Sequence, residues 1–255
     1  MNEFDEIAAF YDIMYSDRRA DVTMYLDLAT TIGGPILECG CGTGRVLFPV
    51  AEKGIEIWGI DSSEKMLDIA RSKLHKLPLD LRENVRLSWQ NMLDFKLDET
   101  FKLCIIPFRA FLHLLTPEDQ NKALKRIHRS LESGGYLVID IFAPSHEMLA
   151  KETTTIRSDE KVNSRTGQRF NLTDKVSYDH THQLLHVERH YEHLNGTDVV
   201  CHKIMPFTLR YVFRYEMQAL LEKNGYQIKE VFGQFDKRPY DYKSGEMIFV
   251  AQKHG

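Results

Sequence analysis

The 255-residue sequence lacks a basic excess and lacks any long apolar run. Its 33 Lys and Arg residues are outnumbered by 37 Asp and Glu residues, which disfavours a polyanionic partner such as nucleic acid or an anionic membrane surface. No stretch reaches the roughly 18 apolar residues of a membrane-spanning helix, and the acidic start MNEFDEIAAFYD does not resemble a secretion signal. We therefore expect a soluble, cytoplasmic protein that has neither a nucleic-acid nor a membrane partner.

Cysteine is also scarce, and its spacing disfavours two kinds of site. The four cysteines are Cys39, Cys41, Cys104 and Cys201, and they include no C-x-x-C pair. So few cysteines in a chain of this length do not suggest a disulfide framework, and the C-x-C pair cannot supply four zinc ligands. We expect reduced, inert thiols and predict no metal site.

Short apolar runs alternate with helical patterns between residues 36 and 142. This alternation predicts βαβ units, and hence a Rossmann-like, doubly wound α/β fold with a mostly parallel, seven-stranded sheet. The last two strands follow one another without a long helix, which predicts an antiparallel edge strand. The predicted strands are 35–38, 55–60, 85–89, 103–106, 136–142, 226–232 and 245–251. The predicted helices are 3–15, 19–31, 45–53, 64–74, 117–131 and 215–223.

Residues 151–205 have a different character from the rest of the chain. They are polar and alternate around turn signals at Arg165-Thr166-Gly167 and Asn195-Gly196. We interpret this span as an antiparallel β insertion, which interrupts a core made of residues 1–150 and 206–255. The sequence thus predicts one domain over residues 1–255.

The stretch ILECGCGTGRV, residues 36–46, places Gly40, Gly42 and Gly44 between a predicted strand and a predicted helix. An open α/β sheet binds its ligand at such a position. A dinucleotide-binding loop has the pattern G-x-G-x-x-G, whereas here Arg45 stands where the last glycine is needed. No G-K-[ST] follows, so a phosphate-binding loop is disfavoured as well.

Two acidic residues near this loop indicate which ligand it accepts. Glu38 immediately precedes the loop, and Asp61 ends the next strand. The carboxylate of Asp61 can accept hydrogen bonds from ribose hydroxyls. The carboxylate of Glu38 favours a positively charged ligand. The pattern therefore favours a cationic ligand that has a ribose and no pyrophosphate.

Five segments in register with five strands resemble the cofactor motifs of the class I S-adenosylmethionine-dependent methyltransferases. They are ECGCGTGR (38–45), GIDSSEKMLDIA (59–70), QNMLDF (90–95), IPFRAFLHL (106–114) and LESGGYL (131–137). The resemblance implies that S-adenosylmethionine is the cofactor, with the glycine loop along its methionine part and Asp61 on its ribose. It also implies that Ser62 and Met66 lie beside the nucleoside, Asn91 and Met92 meet the adenine, and Phe108 and Arg109 close the pocket near the sulfonium.

The N-terminal FYDIMY and the insertion are similar to the branch that contains glycine-type and amino-sugar N-methyltransferases. This similarity implies that Tyr15 reaches the methionine end of the cofactor. Tyr15 could equally fix the N-terminal helix to the sheet. The sequence has IPF after the fourth strand, not the N/D-P-P-Y/F of exocyclic-amine methyltransferases. We therefore expect a small-molecule acceptor, methylated at nitrogen, with O-methylation as the alternative.

Two residues are candidates for chemistry beyond the cofactor. His113 could act as the base or orient the acceptor, because imidazole exchanges protons near neutral pH, or it could be structural. Arg210 could hold an acceptor carboxylate in a bidentate pair, or it could form a surface ion pair.

Histidines are dense at positions 180, 182, 186, 190 and 193, where alternation puts several of them on one strand face. They could bind a metal or line the acceptor pocket, but exposed faces of a hairpin produce the same pattern.

Two functions compete with methyl transfer: a nicotinamide-dinucleotide oxidoreductase and a binding protein that keeps the cofactor without catalysis.

Overall fold

The structure, a computed structural model, describes residues 3–15, 17–158 and 160–254. Within these ranges, no helix has both the length and the apolar composition needed to cross a membrane.

A seven-stranded sheet forms the centre of the molecule, as the alternating pattern predicted. Its strand order is β11-β12-β5-β4-β1-β2-β3. The neighbours from β5 to β3 pair in parallel, whereas β12 pairs antiparallel with both β5 and β11. The strands are β1 (Ile36–Cys39), β2 (Ile57–Asp61), β3 (Val85–Trp89), β4 (Phe101–Ile106), β5 (Leu131–Phe142), β11 (Tyr226–Phe232) and β12 (Glu246–Lys253).

Helices cover both faces of this sheet, which confirms the doubly wound fold. They are α1 (Glu3–Tyr15), α2 (Ala20–Ile32), α3 (Leu47–Ala51), α4 (Glu64–Leu74), α5 (Leu79–Arg82), α6 (Pro117–Ser130), α7 (His146–Leu149) and α8 (Arg214–Lys223). One hydrophobic core joins the sheet to α6 and α8, and a second joins the opposite face to α2, α3 and α4. The strands are buried on both faces for this reason, and they are therefore almost continuously apolar.

The insertion forms a separate five-stranded antiparallel sheet. Its strands are β6 (Thr153–Arg157), β7 (Lys161–Val162), β8 (Arg169–Asp179), β9 (Leu184–Asn195) and β10 (Asp198–Arg210). Gly167 and Gly196 have φ of +70° and +62° and occupy the two turns that the sequence indicated. Strand β10 continues to Arg210, five residues beyond the predicted end of the insertion.

The start of strand β5 differs from the predicted one because of glycine. Strand β5 begins at Leu131, not at residue 136, and Gly134-Gly135 lies inside it as an irregularity, not as a helix end. Gly134 has φ of +74°, and a Cβ at Gly135 would lie 3.1 Å from the carbonyl oxygen of Phe101. The glycine pair thus lets β5 start early while the chain bends.

Helix α1 connects the insertion to the core. Its Asp12 accepts a hydrogen bond from the Thr43 hydroxyl (2.6 Å) and pairs with Lys73 (2.6 Å). From the insertion, the side-chain amide of Asn163 donates to the carbonyl of Ile13 (3.0 Å). These contacts place α1 across the carboxyl ends of the core strands, where the insertion sheet also lies.

Truncating Leu37 to alanine should destabilise the protein strongly. Leu37 is fully buried in the central strand β1, so the free energy of unfolding should fall by about 2–5 kcal/mol through lost transfer energy and a residual cavity. Urea unfolding measures this change. The matched control is Leu79→Ala, because Leu79 is 73% exposed and its truncation should change stability by less than about 0.5 kcal/mol. Similar losses in both variants would contradict this assignment of the core.

Candidate active site

A cavity of about 940 Å³ opens at the carboxyl ends of the core strands. Its floor comes from the loops after β1, β2, β3 and β4, one wall from α1, and its roof from the inner face of the insertion sheet. A parallel α/β sheet binds ligands at this position, and the volume lies near the upper end of the range for small-molecule pockets.

The glycine loop after β1 lines this cavity with two of its three glycines. Gly40 and Gly42 have φ of +74° and +53°, which L side chains rarely adopt, and both face the cavity. A Cβ at Gly40 would lie 2.8 Å from the Cβ of Ala110, whereas one at Gly42 would meet nothing within 4 Å. Gly44 does not line the cavity, and a Cβ at this position would lie only 2.3 Å from the ring of Phe48. The third glycine therefore serves helix packing.

Asp61 holds the glycine loop against the end of β2. The backbone N–H of Gly42 donates to its Oδ2 and that of Ser63 to its Oδ1, each at 2.8 Å. Burial raises the pKa of Asp61, and these two hydrogen bonds oppose that shift. The carboxylate lines the cavity at the position where the sequence predicted a ribose contact.

Glu38 lies buried beneath the loop with one carboxylate oxygen, Oε2, that has no hydrogen-bond partner among the described residues. Burial raises the pKa of Glu38 well above its usual range, and Arg45 opposes this shift. An unpaired buried carboxylate is costly, and a positive charge nearby reduces the cost. Glu38 does not itself line the cavity. A cation bound above the loop would favour its ionised form, because a nearby positive charge lowers the pKa of a carboxyl group.

Arg45 occupies the position where a dinucleotide-binding loop has its last glycine. It forms a bidentate pair with Asp21 (2.8 and 2.5 Å), and its guanidinium lies 4.9 Å from the centre of the Phe108 ring. The side chain thereby ties α2 to the segment after β4. The loop therefore lacks the third glycine that allows close helix packing in a dinucleotide-binding loop.

The segment after β4 turns sharply at Phe108 and Arg109, whose φ values are +55° and +65°. The backbone N–H of Phe108 donates to Asp140 Oδ1 (2.7 Å), and the Tyr25 hydroxyl donates to the same oxygen (2.5 Å). Arg109 pairs with Glu246 at 2.9 Å. These contacts hold the backbone in an unfavourable turn. Phe108 and Arg109, which the sequence predicted near the cofactor, line the cavity at this turn.

The five remaining predicted cofactor residues all line the cavity. These are Tyr15, Ser62, Met66, Asn91 and Met92. The side-chain oxygen of Asn91 accepts a hydrogen bond from the backbone N–H of Leu93 (2.9 Å), so its amide is already oriented by its own turn. Arg18, which the sequence did not single out, also lines the cavity and lies 5.0 Å from the centre of the Phe108 ring.

His113 lies in the cavity at the end of a short 3₁₀ helix, Ala110–His113. Its ring packs against Phe4 of α1 (centroids 4.6 Å apart) and Phe207 of β10 (6.0 Å). The imidazole thus stands where the N-terminal helix, the core and the roof meet. This place is compatible with contact to an acceptor.

The structure does not place Arg210 in the cavity, which corrects the hypothesis that it holds an acceptor carboxylate. Arg210 is 4% exposed, and its guanidinium donates to Gln120 (3.1 Å), Gln183 (3.1 Å) and Glu216 (2.7 Å). Because β10 continues to this residue, its side chain enters the junction with α6 and α8. The cationic side chain that lines the roof is Arg189.

Asp174 and Arg189 face the cavity from the roof, and the sequence analysis missed both. They lie directly opposite one another on β8 and β9, and the hydroxyl of Tyr15 is also in contact with Arg189. Alternation along each strand shows which residues share a face. It does not show the register between strands, which is what brings these two together.

The histidines of the insertion form short-range hydrogen-bonded pairs. His190 bonds to His202 (2.9 Å) and to Glu188 (2.6 Å), and His182 bonds to Asp179 (2.7 Å). Within the described ranges, no group of three or more His, Cys, Asp or Glu side chains is arranged to hold a metal ion.

Cys39 and Cys104 lie 3.8 Å apart between their sulfur atoms, and burial raises the pKa of the Cys39 thiol well above its usual range.

Comparison with known proteins agrees with this geometry. The family described as "Methyltransferase domain" matches residues 36–135, the segment that carries the cavity floor. The putative methyltransferase YqeM of Bacillus subtilis is 25% identical over 253 residues, which cover 98% of this chain and 97% of that protein. N-demethylindolmycin N-methyltransferase of Streptomyces griseus is 36% identical over 118 residues, 45% of this chain and 48% of that protein. The CcbJ methyltransferase of Streptomyces caelestis shares the fold with a TM-score of 0.86, at 24% identity over 99% of this chain and 98% of that chain.

Replacing Asp140 by asparagine should remove a pH dependence of stability. Burial raises the pKa of Asp140 from 3.8 to about 6. The unfolded chain therefore releases this proton at a lower pH than the folded chain, and the stability that Asp140 contributes is lost as pH rises from about 4 to about 6. Urea unfolding of both proteins across this range measures the difference.

The control for this prediction is Asp236→Asn. Hydrogen bonds from Arg238 lower the pKa of the exposed Asp236, so its contribution is lost when the pH falls and has the opposite sign. A difference between wild type and Asp140→Asn that stays constant with pH would contradict the assignment.

Proposed function

We propose that the chain is a class I S-adenosylmethionine-dependent methyltransferase and that it methylates a nitrogen atom of a small-molecule amine. We further propose that residues 1–255 act as one domain and that the protein works in the cytoplasm. The free thiols of its four cysteines favour a reducing compartment.

The observation that carries this proposal is the composition of the cavity. It combines a glycine loop and Asp61, suited to a nucleoside without pyrophosphate, with a largely apolar roof supplied by the insertion. The volume of about 940 Å³ leaves space for a small acceptor beside the cofactor. The relatives named for methylation of nitrogen, such as the Streptomyces griseus enzyme, support the same acceptor atom.

We assign the cofactor contacts as follows. Gly40 and Gly42 lie along the methionine part, while the Glu38 carboxyl group and Gly44 support the loop from beneath. Asp61 binds the ribose hydroxyls, and Ser62 and Met66 lie beside the nucleoside. Asn91 and Met92 meet the adenine. Phe108, Arg109 and Tyr15 close the pocket near the sulfonium.

The chemistry requires little covalent participation from the protein. Bound S-adenosylmethionine supplies a methyl group on an activated sulfonium. The chain has to hold the acceptor nitrogen in line with that methyl group, and orientation of this kind provides up to about 7–11 kcal/mol. As the carbon–nitrogen bond forms and the carbon–sulfur bond breaks, the nitrogen loses one proton, and His113 accepts it at a ring nitrogen.

The side chains around the cavity favour nitrogen over oxygen. Among the described residues that line it, His113 is the only imidazole, and neither lysine nor cysteine is present. An amine in its neutral form attacks with its own lone pair and releases its proton only as the bond forms. An alcohol needs a stronger base, because its proton must leave to make it a good nucleophile.

Replacing Gly42 by valine should abolish binding of the cofactor. The added side chain would project into the cavity from a backbone with φ of +53°. The melting temperature of the wild type should rise with S-adenosylhomocysteine, because a ligand that binds only the folded state stabilises it, whereas Gly42→Val should show no shift. The control is Gly167→Val in the insertion, where φ is +70° and an added Cβ also meets nothing within 4 Å. Retained binding in Gly42→Val, or its loss in both variants, would contradict the assignment.

The function is tested by incubating the protein with S-adenosylmethionine and a panel of small amines and alcohols. We expect S-adenosylhomocysteine to form with amines, with the methyl group located on nitrogen by mass spectrometry. His113→Ala should lower kcat by about 100-fold or more if His113 accepts the proton, while cofactor affinity stays unchanged. The control is His186→Ala, because His186 is exposed and outside the cavity. Methylation of alcohols alone would refute the nitrogen assignment, and unchanged turnover in His113→Ala would refute the role of His113.

A further inference from the structure

One ion pair interrupts the otherwise apolar roof of the cavity. Arg189 donates from Nε to Asp174 Oδ1 (2.7 Å) and from Nη2 to Oδ2 (2.6 Å). The two side chains are 20% and 19% exposed. Among the described roof residues that line the cavity, they are the only charged ones.

The position of this pair in the insertion sheet is specific. On one side, Leu172 and Tyr191 are paired across β8 and β9 and pack against α1. On the other side, the next pair is Val176 and Val187, which line the cavity. The ion pair therefore marks the point where the sheet leaves α1 and begins to cover the cavity.

Stability alone does not account for charges at this point. A pair removed from water gains little over apolar side chains of similar size, because desolvation offsets the attraction between the charges. The flanking pairs show that this face of the sheet accepts apolar residues. A paired charge that lines a cavity is better explained by what it binds there.

The hydrogen-bonding capacity of the pair restricts its ligand. A guanidinium carries five N–H groups. Asp174 takes two of those on Arg189, and the Tyr15 hydroxyl takes one from Nη1. One N–H on each terminal nitrogen is left, together with further lone pairs on Asp174. The pair has no net charge and offers both donors and acceptors.

We propose that the methyl acceptor is an amine with an apolar body and an uncharged hydroxyl or carboxamide group, and that this group binds to Asp174 and Arg189. The inference rests on the proposed function and specifies the substrate class. A hydroxyl or carboxamide accepts from Arg189 and donates to Asp174. A carboxylate has no donor and meets the charge of Asp174, whereas a second ammonium has no acceptor and meets the charge of Arg189.

Three probes that share one apolar body and one primary amine test this inference. They are phenylalaninol, phenylalaninamide and phenylalanine, which carry a hydroxyl, a carboxamide and a carboxylate. Dissociation constants are measured by calorimetry with S-adenosylhomocysteine bound, and methyl transfer from S-adenosylmethionine is followed in parallel. The wild type should bind the alcohol and the amide at least about tenfold more tightly than the acid, as expected for a hydrogen bond to a charged group.

The variant Asp174→Asn should reverse much of this preference. With the carboxylate removed, Arg189 is free to pair with the carboxylate of phenylalanine, so the affinity ratio should fall by about tenfold or more. The ratio is taken within each protein and therefore does not depend on the fraction that is folded. Comparing the ratio between proteins also cancels differences in amine basicity among the probes.

The matched control is Asp179→Asn. Asp179 lies on the same strand, but it bonds to His182 on the exterior and does not line the cavity. It should leave the affinity ratio unchanged. A decrease in the control as large as in Asp174→Asn would overturn the inference.

The remaining outcomes separate this inference from the proposed function. Equal affinity of the wild type for all three probes, or binding of none of them, would overturn the inference. If S-adenosylhomocysteine binds and other amines are methylated at nitrogen, the proposed function stands in either case. Methylation of phenylalaninol at oxygen would instead count against the proposed function.

Discussion

The two hydrogen bonds from backbone N–H groups to Asp61 are the constraint on which the rest of the site depends. They join the glycine loop after β1 to the start of α4 after β2 through one carboxylate. Because Gly40 and Gly42 are held at positive φ, the part of the cavity floor that this loop supplies is backbone and not side chain. The same carboxylate lines the cavity, so the group that organises the floor also offers the polar contact there.

The floor alone does not enclose a ligand, and the chain closes it with two further elements. Helix α1 is held to the core by Asp12 and to the insertion by Asn163. The insertion sheet then lies over the cavity with its apolar face inward, while its histidines pair on exposed positions. Covering a site in this way lowers the local dielectric constant, which strengthens electrostatic contacts made inside it.

The sequence predicted the core well because its patterns are local. Strand and helix periodicity, the glycine spacing and the turn at Asn195-Gly196 each involve residues close together in the chain, and the resulting fold is confirmed. Contacts between distant segments were not predictable in this way. The pairing of Asp174 with Arg189 depends on strand register, and the turn at Phe108 depends on Asp140, 32 residues away. Arg210 was placed wrongly for the same reason: its partners Gln120 and Gln183 come from distant parts of the chain.

Tyr15 links the two halves of the cavity. Its ring lies 4.9 Å from that of Phe108, at the turn after β4, and its hydroxyl contacts Arg189 in the roof. Tyr15 belongs to α1, which also contacts the core through Asp12 and the insertion through Asn163. The floor and the roof of the cavity are therefore joined through one aromatic side chain, although their residues come from distant parts of the sequence.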